Sequence, residues 1–161
     1  MENDPLAGIP EEAAATPETV TRKPDFPRHR ISLVLALLRA VLGIVSVMHG
    51  GQKLFQLGLA TTIAGFAESG IPAAPLTAPA VSFVELLGGL AVLVGFLTRW
   101  AAIGLAVVML GAIAFVHVPN GFFAPMGIEF PLTLLTIAVA LLIAGPGAYS
   151  VDRIRARRDR A

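Results

Sequence analysis

Hydrophobic and polar positions divide this chain into two kinds of segment. Residues 1–30 mix acidic and small residues with Pro5, Pro10, Pro17, Pro24 and Pro27 and show no apolar period. Such a stretch cannot bury enough surface to offset its ordering entropy, so a disordered tail is expected there. Four apolar segments follow, at about 31–57, 79–97, 100–117 and 128–144. Each approaches the ~20 residues that cross a hydrocarbon core of ~30 Å as a helix. The pattern predicts an all-α fold, a transmembrane four-helix bundle over residues 31–149, closed by a basic tail at 150–161. No proline is expected to interrupt a span: Pro131 falls in the first turn of the fourth, and Gly145-Pro146-Gly147 stops it. The longer connection at 58–78 places Ile63 and Phe66 one turn apart within 61–67, which predicts a short interfacial helix in the first outer loop. In the second outer loop, Phe122 and Phe123 suit the headgroup level.

Composition agrees with a lipid environment. Hydrophobic residues make up 55% of the 161 and charged residues 14%, with a mean hydropathy of +0.76. Charge gathers at the ends: residues 1–30 hold 10 charged side chains and residues 150–161 hold 7, leaving 6 between them. The first apolar run follows an acidic start, contains Arg39 and has no small-residue cleavage site after it, so it is expected to persist as a span. Arg22, Lys23, Arg28 and Arg30 before the first span, Arg99 in the middle loop and the arginines from Arg153 onward predict that both termini are cytoplasmic. A multi-pass protein of the plasma membrane follows. A net charge of +1 with its basic residues confined to the ends gives no footprint for nucleic acid. With no cysteine, the chain has no disulfide, thiolate metal site or thiol relay of its own. No metal site is expected, and redox chemistry would need a bound cofactor or a partner.

Few polar residues remain inside the spans, and ionisable groups in lipid are candidates for function by default. Arg39, Gly43, Ser46, Gly50 and Lys53 lie within about 40° of one direction at 100° per residue, with His49 beside them. This polar and small-residue stripe must face protein or water. Glu85 lies in the second span, with Gly88 and Gly89 one turn on leaving room for a neighbouring backbone or a ligand. Helical rise puts Arg39 at roughly 14 Å from the inner surface, Glu85 at roughly 21 Å, His117 at roughly 27 Å, His49 at roughly 28 Å and Lys53 at roughly 34 Å. Side chains tilt toward their helix N-terminus, so Arg39 and the histidines lean inward while Glu85, on a descending helix, leans outward. Glu85, His49, Lys53 and His117 are thus expected to form a polar pocket in the outer half of the membrane, with Arg39 as its floor. A direct Arg39–Glu85 pair stays open, because the two lean apart. A carboxylate and an imidazole suit proton exchange with a quinone-type head group. A polar cluster that only fixes helix register is the competing reading, and His117, beside Pro119, also suits a capping role. A haem held by His49 and His117 rests on equal depth alone and is set aside.

The runs LLRAVLGIVSVMHGGQKLF (37–55), FVELLGGLAVLVGFLTRWAA (83–102), MLGAIAFVHVPNGFF (109–123) and GPGAYSVD (145–152) resemble the DoxX family over about residues 31–152. The resemblance implies a small four-helix bacterial or archaeal membrane protein. It also implies relatives that act as the membrane subunit of a thiosulfate:quinone oxidoreductase, or that assemble with soluble redox enzymes in oxidant and thiol defence. Arg39, His49, Lys53, Glu85 and His117 are the family's polar elements. The expected function is therefore a quinone-linked or redox-complex membrane subunit. In it, Glu85 and His49 handle protons as the catalytic pair, Lys53 and His117 hold ligand atoms, and Arg39 compensates charge. The alternative is a non-catalytic membrane anchor that recruits soluble oxidoreductases through its tails; a solute carrier ranks last, for want of a discontinuous helix. A second subunit or a homo-oligomer is compatible with either reading.

Overall fold

A computed structural model describes residues 28–123 and 125–159. Residues 1–27, which hold most of the expected tail, lie outside them, as do 124 and 160–161. All regular structure among the described residues is helical: α1 (Arg28–Gln56), α2 (Gly58–Glu68), α3 (Ala74–Val94), α4 (Thr98–Asn120), α5 (Glu129–Ala144) and α6 (Val151–Arg158). Three of these, α1, α3 and α4, are long and apolar enough to cross a membrane. The fourth apolar helix, α5, is 16 residues, or about 24 Å.

Each long helix buries one stripe. On α1 it runs through Ser32, Leu35, Arg39, Leu42, Gly43, Ser46 and Gly50; on α3 through Ala74, Ala78, Ser82, Glu85, Gly89 and Val92. These three- and four-residue steps are the helical period, and the stripes meet in a core of Leu42, Val92, Leu105, Leu134 and Leu141. The opposite faces carry Leu37, Ile44, Met48, Leu90, Val107 and Ile143, all exposed and all apolar. Water does not tolerate so much apolar surface on a monomer, whereas acyl chains solvate it at no cost.

Close approach of α1 and α3 is set by glycine. A Cβ on Gly43 would stand 2.8 Å from the Gly89 carbonyl, and one on Gly50 would stand 2.8 Å from the Ser82 carbonyl. Ser46 fills the space between them against Gly89. The polar and small-residue stripe on α1 thus faces protein up to Gly50.

Several boundaries depart from the sequence expectation. Helix α3 begins at Ala74 and runs through Pro79, so a proline does lie inside a span. Pro75 occupies the first turn, where its missing N–H is an orphan in any case, and one turn later Pro79 costs a single ladder bond. The turn between α3 and α4 falls earlier than expected, at residues 95–97, with Gly95 at φ 75° and Leu97 at φ 46°. The connection at 58–78 does contain a helix, α2. The basic tail is not featureless: Ser150 accepts a hydrogen bond from the Arg153 N–H and starts α6.

Three helices also carry a π turn, at Gln52–Gln56 in α1, Val84–Gly88 in α3 and Ala112–His117 in α4. An extra residue in a helical turn weakens the ladder and shifts the face on which later side chains emerge. Lys53, Glu85 and His117 each sit in one of these turns.

Candidate functional site

The π turns of α1 and α3 bring their ionisable residues together. Lys53 Nζ donates to Glu85 Oε2 at 2.5 Å. Glu85 is buried, whereas the Lys53 side chain keeps 19% exposure. Glu85 reaches the interior because Ser82 and Gly89 hold α3 against α1 on either side of it, and Gly88 meets Leu105 of α4. On the Lys53 side, the Thr62 hydroxyl of α2 bridges to the Lys53 and Gly58 carbonyls at 3.1 and 2.9 Å. Helix α2 is thereby fastened to the π turn at the Lys53 carbonyl. Thr62 escaped sequence reading, because nothing in the sequence separates it from its neighbour Thr61, and only the structure buries it.

One ammonium hydrogen and one carboxylate oxygen serve this ion pair. Two ammonium hydrogens remain, and Glu85 Oε1 has no hydrogen-bond partner among the described residues. Lys53 and Glu85 thus each keep hydrogen-bonding capacity beyond the ion pair. His49 lies one turn before Lys53 and feels the charge of both Lys53 and Glu85. Its ring centroid stands 6.2 Å from that of Phe130 on α5. It also lines an open recess of about 180 Å³ with Met48, Gln52 and Gln56. The recess does not reach the ion pair, so the expected single pocket is two adjoining features: a lateral recess at His49 and an ion pair one turn further along α1.

Two predicted members are elsewhere. His117 donates from Nδ1 to the Met126 carbonyl at 2.7 Å and so holds the loop between α4 and α5. This is the capping role weighed against a ligand role, with Nδ1 occupied by the loop carbonyl. Arg39 is buried, but it points to the other end of the molecule, where its guanidinium donates to the Tyr149 carbonyl. It packs against Gly95 and Ser150, under the attraction of Asp152. The open question of an Arg39–Glu85 pair resolves in favour of Lys53, in the direction that the N-terminal tilt of helical side chains gives. Arg39 is thus not the floor of the group that Lys53 and Glu85 form.

Around Arg39, the segment 145–152 folds under the helices. Asp152 accepts from the backbone N–H groups of Leu97 and Thr98 at 2.8 and 3.0 Å and from the Thr98 hydroxyl at 2.9 Å, and its own N–H donates to the Gly95 carbonyl. It caps α4 from 54 residues away. The Ala148 N–H donates to Ser32 Oγ near the start of α1. Both described ends of the chain therefore lie at one end of the helix assembly, beside Arg99 at the Gly145 turn.

Long apolar helices, lipid-compatible outer faces and a buried ion pair between two spans define a multi-pass membrane protein. More particularly, the chain belongs to the DoxX family, whose profile matches residues 34–118. An uncharacterised membrane protein of Mycobacterium tuberculosis is 35% identical over 77% of this chain and 82% of its own length. "Putative oxidoreductase CatD" of Bacillus subtilis is 34% identical over 72% of this chain and 82% of its own. Inner membrane protein YqjF of Escherichia coli is 34% identical over 72% and 87%. No solved structure matches the chain.

Proposed function

We propose that this chain is the membrane subunit of a quinone-linked oxidoreductase. In this reading α1, α3, α4 and α5 cross the cell membrane, the arginine-rich end faces the cytoplasm, and the Lys53–Glu85 pair with His49 receives the quinone head group. The observation that carries it is the ion pair at 2.5 Å, built on two π turns and left with unused hydrogen-bonding capacity. A pair that served only to fix helix register would have no need to keep a donor, an acceptor and a neighbouring imidazole available. The π turns point the same way, since such turns recur at functional sites. The oxidoreductase name of one relative is in accord with this reading.

A quinone, when bound, supplies two-electron chemistry coupled to proton uptake and release. The chain's own residues supply the rest. Lys53 donates to a carbonyl oxygen, Glu85 accepts from a hydroxyl, and His49 exchanges a proton at the recess. Electrons come from a soluble partner or a second subunit, because a chain without cysteine carries no sulfur relay. The test places purified protein in nanodiscs with quinone and either thiosulfate, sulfide or a soluble reductase, and follows quinone reduction by absorbance. Turnover that Glu85→Gln abolishes supports the proposal; no quinone binding and no effect on reduction refutes it.

A further inference from the structure

The C-terminal helix carries more order than a topology signal requires. Orientation by positive charge depends on how many Lys and Arg lie near the span ends, and places no demand on where each one points. Here α6 is fixed in place: the Asp152 carboxylate and N–H bind the turn between α3 and α4, Ser150 caps the helix, and the Arg155 guanidinium lies 5.2 Å above the Phe96 ring. This anchoring engages Asp152 in three hydrogen bonds, so its charge is turned toward the α4 N-terminus. Arg153, Arg157 and Arg158 stay exposed on a helix held beneath the spans. Arg28, Arg30 and Arg99 lie at the same end, and Asp159 is the other acid there among the described residues.

Trp100, Tyr149 and Ile154 at this end are 73%, 58% and 55% exposed. Aromatic and aliphatic side chains next to fixed guanidiniums are what the boundary between headgroups and acyl chains accommodates. Guanidinium also pairs with phosphate oxygens in two-pronged geometry. We infer that α6 is a docking face for anionic phospholipid headgroups, which would seat the arginine-rich end of the protein on a negatively charged leaflet.

The experiment titrates the delipidated full chain in detergent with phosphatidylglycerol and phosphatidylcholine of identical acyl chains, and counts bound lipid by native mass spectrometry. Phosphatidylglycerol should be retained about tenfold over phosphatidylcholine. The triple variant R153Q/R157Q/R158Q should lose that preference. Asp152→Asn, which keeps every arginine but loosens the dock, should reduce it. Equal retention of the two lipids by the unaltered protein overturns the inference without reliance on any variant. So does full preference in the triple variant or in Asp152→Asn. Displacement of the lipid by an equal concentration of inorganic phosphate would assign the site to free phosphate, and capture of an acidic soluble protein with no lipid preference would assign the face to protein.

Discussion

Lys53 and Glu85, 32 residues apart in the chain, meet at 2.5 Å because each stands in a π turn on facing helices. Removing one partner from such a pair leaves a charge stranded in a low-dielectric interior, at a cost of about 3–5 kcal/mol, whereas removing both leaves none. Lys53→Met and Glu85→Leu should therefore each lower the melting temperature in detergent by several degrees. The double variant K53M/E85L should recover most of that loss. Additive losses in a thermal scan would show that the pair does not couple.

Glycine at position 50 is a condition for that pair. A Cβ there would stand 2.5 Å from the Leu86 nitrogen, and backbone cannot swing aside as a flexible side chain can. Gly50→Ala should push α1 and α3 apart at a cost of about 1–3 kcal/mol and weaken the Lys53–Glu85 contact. Gly65→Ala, where nothing lies within 4 Å, should be silent. Thermal scans of the two variants side by side decide it.

His117 is assigned to the loop. His117→Phe should speed amide exchange at Ile128 and Glu129, whose N–H groups bond to Gly121 and Phe122 within the loop that His117 holds. Quinone affinity should stay unchanged. A loss of affinity with unaltered exchange would return His117 to the ligand site.

Asp152 holds the C-terminal segment against the start of α4. Loss of a capping carboxylate costs about 1 kcal/mol, and here three hydrogen bonds go with it. Asp152→Ala should let α6 unfold locally and admit trypsin after the already exposed Arg153, Arg155 and Arg157 well before the spans unfold. Limited proteolysis read by mass spectrometry checks this, and equal resistance in the variant would contradict the docked arrangement.

The absence of cysteine lets a single introduced thiol report its side of the membrane. Under the proposed orientation, with the arginine-rich end cytoplasmic, Glu68→Cys should react with an impermeant maleimide in intact cells, and Ala156→Cys only after permeabilisation. The reverse pattern would invert the orientation.

The helices were readable from the sequence because lipid admits so few alternatives: long apolar runs must be helical, and the period of Gly43, Ser46 and Gly50 names the face that packs. Glu85, Lys53 and His49 stood out because charge and imidazole are rare at that depth. The inserted residues at 52–56, 84–88 and 112–117 were not readable. A π turn leaves no compositional mark, yet it shifts everything after it relative to a uniform 100° step. That shift, with a loop carbonyl at Met126 waiting for it, separates His117 from the group it was expected to join. Asp152 was hidden for another reason: its partners lie in a turn more than fifty residues upstream, and no local pattern names a cap supplied from so far away.

The most direct test of the account is an equilibrium titration of short-chain quinone into nanodiscs holding either the native protein or K53M/E85L, the double variant expected to keep its fold. If the ion pair receives the head group, the double variant should bind at least about tenfold more weakly, the loss expected when roughly one to two hydrogen bonds to charged groups are removed, while melting near the native temperature. Equal affinity in the two proteins would contradict it.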